Sequence, residues 1–209
     1  ASITRLKNAS NKVEPHVPVN GQLQIVPFRP NDIINAAGGI YSNIDDMVKW
    51  VRMQLNQGMV GDQRLFSKQA QHQMWSPHTI IPMGPNGGPY NTHFDTYGIG
   101  WGIRDVKGYK QVSHTGGLLG MVTQVTLIPE LKLGIIVLTN QEQGAAFNAI
   151  TSTIKDSYFE MPAVDRVQEL ADRIAKRNAE ADKMVADVWK AIDAQTKANG
   201  KLKLNTSPY

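Results

Sequence analysis

The residues with the clearest chemical potential form one tetrapeptide, His114-Thr115-Gly116-Gly117. An imidazole or a hydroxyl group can orient a carboxylate or a leaving group through hydrogen bonds. Two adjacent glycines usually mean that something must approach the backbone closely. Such a strand can lie against an extended substrate and present a backbone N–H to a developing oxyanion. The alternative is a glycine bulge at a sheet edge with an incidental histidine.

The segments around the tetrapeptide predict an antiparallel meander of three strands. Residues 97–106, YGIGWGIRDV, alternate glycine, aromatic and β-branched residues as a strand does. We expect a second strand to begin at His114 and to continue through MVTQVTLIP, with a tight turn at ELK. The third segment, LGIIVLTNQ, is nearly all apolar, so we expect a central strand that is buried on both faces.

Helices are predicted before and after these strands. In the first predicted helix, Ser42 is the expected N-cap and Asp45 its capping-box partner. Five apolar residues share one face of this helix: Ile44, Met47, Val48, Val51 and Leu55. Ser67 should cap a second, shorter helix, and GAAFNAITSTIKDSYF forms a third. Residues 79–95 carry three prolines and three glycines, which predicts a loop.

A long amphipathic helix is predicted after Ala163, where apolar residues recur every three to four positions among many charges. We expect this helix to break near Asn178 and to end in a polar tail. Its polar face carries both signs of charge, which favours packing on the domain or on another chain over a membrane surface.

Composition excludes several classes of protein and site. With 41% hydrophobic and 19% charged residues, the 209-residue chain resembles an ordinary globular protein. Its charge of +4 is spread along the chain, so nucleic acid is not an expected partner. No apolar run approaches the ~18 residues that span a bilayer, so we expect no transmembrane segment. The absence of cysteine excludes disulfides and thiol nucleophiles. The five histidines lack metal-binding spacing, so we expect no metal and no cofactor.

Three motifs carry a family resemblance. The stretches AAGGIYSNIDDMVKW, YGIGW and HTGGLLGMVTQVTLIPELKLGIIVLTNQ occur in order and with sensible spacing. Together they resemble the serine β-lactamase and penicillin-binding-protein superfamily, in the branch of class C β-lactamases, esterases and D-aminopeptidases. The resemblance implies an α+β fold, with residues 1–160 as the C-terminal part of a β-lactamase-like domain. Residues 161–209 are similar to a helical linker that precedes a further domain in some members.

The same resemblance implies roles for individual residues in acyl transfer on an amide, an ester or a β-lactam. Catalytic roles fall on His114, Thr115 and the backbone N–H of Gly117, which would form half of the oxyanion hole. Gly116 and Trp101 are expected to border the substrate. A periplasmic or extracellular location is also implied, whereas the substrate is left open.

The family's nucleophile has no counterpart upstream of His114. There the family carries a Ser-x-x-Lys motif, assisted by the Tyr of a Tyr-x-Asn motif. The resemblance therefore implies the C-terminal half of such an enzyme, inactive by itself. Ser152-Thr153-Ile154-Lys155 fits Ser-x-x-Lys only by letter, because the family has no catalytic residue in that helix. Tyr41-Ser42-Asn43 fits Tyr-x-Asn, but it lies at a helix start, with Ser42 as the cap and Asn43 in the first turn.

Two hypotheses remain open for the function of the chain. In the first, it is part of a serine hydrolase and lines the substrate. In the second, it is a non-catalytic binding or assembly module. An exposed strand edge would then favour a homo-oligomer or pairing with the missing N-terminal half.

Overall fold

A computed structural model describes residues 9–19, 21–27 and 32–199. Internal contacts divide the chain into two compact units, Ala1–Ala163 and Val164–Tyr209. Most of the predicted polar tail lies outside the described residues. In the described part of the chain, none of the helices is both long and apolar enough to cross a bilayer.

The first part of the chain forms two small hairpins and three helices. The hairpins pair β1 (His16–Val19) with β2 (Gln22–Ile25) and β3 (Met59–Val60) with β4 (Gln63–Arg64). The helices are α1 (Asn35–Gly38), α2 (Ile44–Leu55) and α3 (Lys68–Met74). Ser67 caps α3 as predicted, since its side chain accepts a hydrogen bond from the Ala70 N–H at 3.0 Å.

The cap of α2 differs from the prediction by one residue. Asn43 is the N-cap, and its side chain accepts a hydrogen bond from the Asp46 N–H at 3.0 Å. The Ser42 hydroxyl instead donates to the Asn43 carbonyl at 3.4 Å. The prediction of Ser42 as cap and Asp45 as its partner was therefore wrong. Asparagine ranks at least as high as serine among N-caps, so the two neighbouring candidates could not be ranked by residue type alone.

A six-stranded antiparallel sheet, in the order β10-β9-β8-β7-β6-β5, forms the centre of the first unit and confirms the α+β class. In chain order, its strands are β5 (Thr79–Ile80), β6 (Asp95–Tyr97), β7 (Gly102–Val106), β8 (Tyr109–Leu118), β9 (Met121–Ile128) and β10 (Leu133–Thr139). Then come the helices α4 (Gly144–Tyr158) and α5 (Arg166–Asn199).

The sheet has more strands than the sequence predicted because the chain reverses twice at glycines. Residues 97–106 do not form one strand, since the chain turns between β6 and β7, where a side chain on Gly98 would collide with the Met74 carbonyl. A second reversal at Leu119–Gly120 separates β8 from β9, and Gly120 has a φ of 73° that favours glycine. The tetrapeptide that begins at His114 therefore lies near the end of β8, and the prediction that it opens a strand was wrong.

Two other predictions for the sheet need correction. The segment LGIIVLTNQ forms β10, which pairs only with β9 among the described strands and so lies at an edge. Its burial alternates along the strand: Leu133, Ile135 and Val137 are buried in the apolar cluster on one face, whereas Leu138 on the other face is exposed. Residues 79–95, predicted as a loop, contain β5, a 3-10 turn at Gly88–Tyr90 and the first residue of β6.

The two faces of the sheet bury separate apolar clusters. One cluster joins α2 and α3 to the sheet through Val51, Trp75, Trp101, Ile103, Val112, Val125 and Leu127. The other lies under α4 and includes Tyr90, Val106, Ile128, Leu133, Ile135 and Val137. Helices on both faces therefore hold β7, β8 and β9 in place, which is the support that a site on β8 needs.

The helix α5 is continuous over Arg166–Asn199, so the predicted break near Asn178 was wrong. Asparagine costs only about 0.7 kcal/mol relative to alanine inside a helix. No glycine or proline lies between residues 166 and 199. The amphipathic pattern therefore continues along a single helix.

Candidate functional site

The predicted site residues lie where β8 extends beyond its neighbour. The pairing of β7 with β8 ends at Gly102 and Ser113, whereas β8 continues to Leu118 paired with β9 alone. His114–Leu118 therefore has one side without a strand partner among the described residues. We call this stretch the open edge of β8. An unpaired strand edge presents backbone N–H and C=O groups that can pair with an extended chain.

The two glycines of the open edge have different surroundings. A side chain built on Gly117 would find nothing within 4 Å, whereas one on Gly116 would lie 2.7 Å from Thr123 Oγ1. Gly116 therefore leaves room for Thr123, and Gly117 borders open space. The pairing of β8 with β9 runs without interruption from Val112 to Leu118, so the glycine-bulge alternative was wrong.

His114 is oriented by a residue that sequence reasoning did not assign to the site. Its Nε2 shares a hydrogen bond of 3.0 Å with the hydroxyl of Tyr97, and the ring centroids are 6.2 Å apart. Tyr97 ends β6, and the start of β7 at Gly102 pairs with Tyr97 on one side and with Ser113, the neighbour of His114, on the other. Tyr97 was visible in the sequence as the first residue of YGIGW, but only the strand register brings it to His114.

Thr115 points to the other face of β8, as the pleat of a strand requires. There it lines a cavity of about 630 Å³ that lies between the sheet, α4 and residues 83–92. Gln124, Ser152 and Lys155 line the same cavity. The structure therefore places His114 and Thr115 at one edge but directs their side chains to different faces.

The cavity has a polar and hydrogen-bonded wall. Lys155 is buried, its Nζ donates to Gln111 Oε1 at 2.9 Å, and it lies 3.9 Å from the centroid of the Tyr90 ring. Thr151 Oγ1 donates to Gln124 Oε1 at 2.6 Å. These contacts place Lys155 in the hydrogen-bonded wall of the cavity.

Asp105 of β7 forms hydrogen bonds with the segment that precedes β6 and borders this cavity. Asp105 Oδ1 accepts hydrogen bonds from the N–H groups of His93 and Phe94 at 2.7 and 2.8 Å, and Oδ2 lies 2.9 Å from His93 Nδ1. Burial raises the pKa of Asp105, but the hydrogen bonds from the His93 ring and from these two N–H groups outweigh it, so the pKa lies below its usual value. The ionised carboxylate thus anchors the start of β6.

Trp101 lies in the core and does not line the cavity. It is 6% exposed, stacks on Trp50 with ring centroids 5.5 Å apart, and meets Trp75 edge-on at 6.2 Å. These contacts give Trp101 a packing role in the core. A contact between Trp101 and a substrate stays a prediction.

Comparison with known proteins gives one family match. The model of the family described as Beta-lactamase matches residues 4–157. The chain is similar to Unguisins hydrolase ungD of Aspergillus violaceofuscus, with 27% identity over 172 residues, 76% of this chain and 30% of that protein. It is also similar to Unguisins hydrolase ungD' of Aspergillus campestris, with 28% identity over 115 residues, 55% of this chain and 20% of that protein.

The fold is shared with solved structures. The octameric penicillin-binding protein homologue from Pyrococcus abyssi aligns with a TM-score of 0.53 and 23% sequence identity, over 67% of this chain and 29% of that chain. The chain thus spans less than a third of the length of each of these three proteins.

Proposed function

The chain belongs to the beta-lactamase family and is a homologue of hydrolases of that family, and we propose that it supplies the substrate-lining strand of a serine hydrolase. The reaction would be acyl transfer on an amide, an ester or a β-lactam. The observation that carries this proposal is the open edge of β8, with Gly117 bordering free space. An extended substrate can add to such an edge through main-chain hydrogen bonds.

Three residues of the edge have a role in this proposal. The backbone N–H of Gly117 forms half of an oxyanion hole, which stabilises the negative charge that develops during acyl transfer. His114, held by Tyr97, orients a carboxylate or a leaving group at the exposed end of the edge. The hydroxyl of Thr115 contacts the part of the substrate that lies toward the cavity face.

None of the three edge residues acts as the nucleophile in this proposal, so we expect that the chain alone does not complete a turnover. We expect no covalent adduct in intact-mass spectra after incubation with a fluorophosphonate or a fluorescent penicillin. Ser152→Ala is the control, because Ser152 is the serine of the only literal Ser-x-x-Lys match. A stoichiometric adduct that maps to Ser152 and disappears in this variant would contradict the assignment.

Reversible binding tests the role of the edge separately from turnover. Calorimetric titration with a penicillin and with unguisins, the compounds in the relatives' names, should show weak binding that Gly117→Val abolishes. A matched variant, Ser152→Val, places the same side chain in the cavity. Binding that is lost in Ser152→Val and kept in Gly117→Val would reject the edge as the binding surface.

A second candidate function is an assembly module, which the same open edge favours, because it can accept a strand of another chain. Light scattering on the chain and on Gly117→Val distinguishes the two: loss of an oligomer in the variant favours assembly through the edge. We also propose a periplasmic or extracellular location, which cell fractionation tests.

A further inference from the structure

The helix α5 exposes a row of large apolar side chains. It is 34 residues long, or about 50 Å at 1.5 Å per residue. Val167 is 67% exposed, Val185 55% and Val188 52%, and Trp189 and Ile192 are also exposed. A helix with so much apolar surface gains stability when that surface is covered.

The apolar residues follow a period of seven. Two positions of each heptad, a and d, form one stripe along α5: Ala171, Asn178, Val185 and Ile192 at a, and Val167, Ile174, Ala181, Val188 and Gln195 at d. Seven of these nine residues are apolar, and the repeat continues over four heptads. A sustained 3.5-residue repeat of this kind is the pattern of a two-stranded or higher coiled coil.

The charges follow the same register. The helix α5 contains 13 charged side chains, and 11 of them fall at positions b, c and f, where Arg166 is buried at the start of the helix. The other two are Arg177 at position g and Asp182 at position e. Positions g and e flank the stripe, and side chains there pair with the neighbouring helix.

We propose that α5 pairs with α5 of a second copy of this chain as a parallel, in-register, two-stranded coiled coil. In a parallel pair, position g faces position e of the next heptad of the partner helix, five residues further along. Arg177 and Asp182 have this spacing and opposite charges, so symmetry gives two ion pairs. An antiparallel pair would place g beside g and e beside e, which leaves both charges without a complement.

The central asparagine supports the same arrangement. Asn178 occupies an a position, where the parallel register brings it beside the Asn178 of the second copy. A single polar residue at an a position fixes register and oligomer state at some cost in stability. The surface is therefore complementary to itself, which favours a second copy over an unrelated partner.

Cysteine cross-linking tests the proposal directly, because the chain contains no cysteine. In the full chain, Val188→Cys places one thiol at a d position, where two parallel helices bring equivalent Cα atoms within disulfide range. Oxidation should give a covalent dimer on a non-reducing gel. The matched control, Ala186→Cys, lies at the outward b position and should remain uncross-linked. Equal cross-linking of both variants, or none of Val188→Cys, would overturn the parallel pair.

Molecular mass and charge exchange provide independent readouts. Light scattering should give twice the chain mass of 23.1 kDa, and the double variant Val185→Asp/Val188→Asp should be monomeric. A monomeric or trimeric wild type, or a double variant that stays dimeric, would contradict the proposal. Arg177→Glu should weaken self-association about five-fold, and adding Asp182→Arg should restore it, as expected for exposed ion pairs. Failure of the second change to restore the dimer would also count against it.

Discussion

Three glycine-to-alanine substitutions test whether the face of β8 at Gly117 is open. In Gly134→Ala, the new methyl group would collide with Val51 Cγ1, where α2 packs on β10. In Gly117→Ala, the same methyl group would meet nothing within 4 Å. Gly116→Ala is intermediate, since the methyl group would lie 2.7 Å from Thr123 Oγ1. The substitution is chemically identical at the three positions, so any difference in stability reports the surroundings.

The expected changes in the free energy of unfolding differ in sign. Replacing glycine by alanine stabilises by about 0.4–1 kcal/mol where the backbone and the space allow it, because the unfolded chain loses freedom. Gly117→Ala should therefore be neutral or slightly stabilising. Overpacking a core contact costs about 1–3 kcal/mol, so Gly134→Ala should lose about 1–2 kcal/mol net. At roughly 3 °C per kcal/mol for a chain of this size, Tm should fall by about 3–6 °C.

Urea and thermal unfolding, followed by tryptophan fluorescence, measure these differences. The stacked pair Trp50 and Trp101 lies in the cluster that also contains Val51, so its signal reports that part of the core. Gly116→Ala should fall between the other two variants, because the Thr123 side chain can rotate away. A loss in Gly117→Ala as large as that in Gly134→Ala would mean that the face of β8 at Gly117 is covered, which would contradict the open space found there.

Four further variants test the local geometry. Asp105→Asn should lower the free energy of unfolding by about 1–2 kcal/mol at pH 7. The pKa of Asp105 is lowered in the folded state, so its carboxylate stabilises the fold above the unfolded pKa of 3.8. This stabilisation is lost as the pH falls through the folded pKa. Urea unfolding between pH 7 and pH 2 should therefore show the difference from wild type shrinking in acid, and a constant difference would contradict the assignment. Asn43→Ala should cost about 1 kcal/mol by the loss of a cap, whereas Ser42→Ala should stay within about 0.5 kcal/mol in the same assay; equal losses would reject Asn43 as the cap. Tyr97→Phe should leave Tm unchanged and weaken ligand binding in calorimetry, because it frees the ring of His114, and unchanged binding would remove Tyr97 from the site.

The sequence predicted the residues of the edge better than their geometry. The family resemblance implied the α+β class. The tetrapeptide drew attention to Gly116 and Gly117, because the residue types of a short motif are visible without the fold. The reversal at Gly120 was missed, since glycine in a strand and glycine in a turn look alike without the pairing partner. The contact of Tyr97 with His114 depends on the register of two other strands, and no local pattern encodes it.

We propose that substrate lies along the open edge of β8, and amide chemical shifts can detect it there. In a ¹⁵N-labelled sample of the full chain titrated with a penicillin, and then with unguisins, we expect saturable shifts for Thr115 to Leu118. Gly117→Val should remove them. Shifts confined to residues of the cavity, such as Gln124 and Ser152, or an unchanged spectrum with both ligands, would contradict the account.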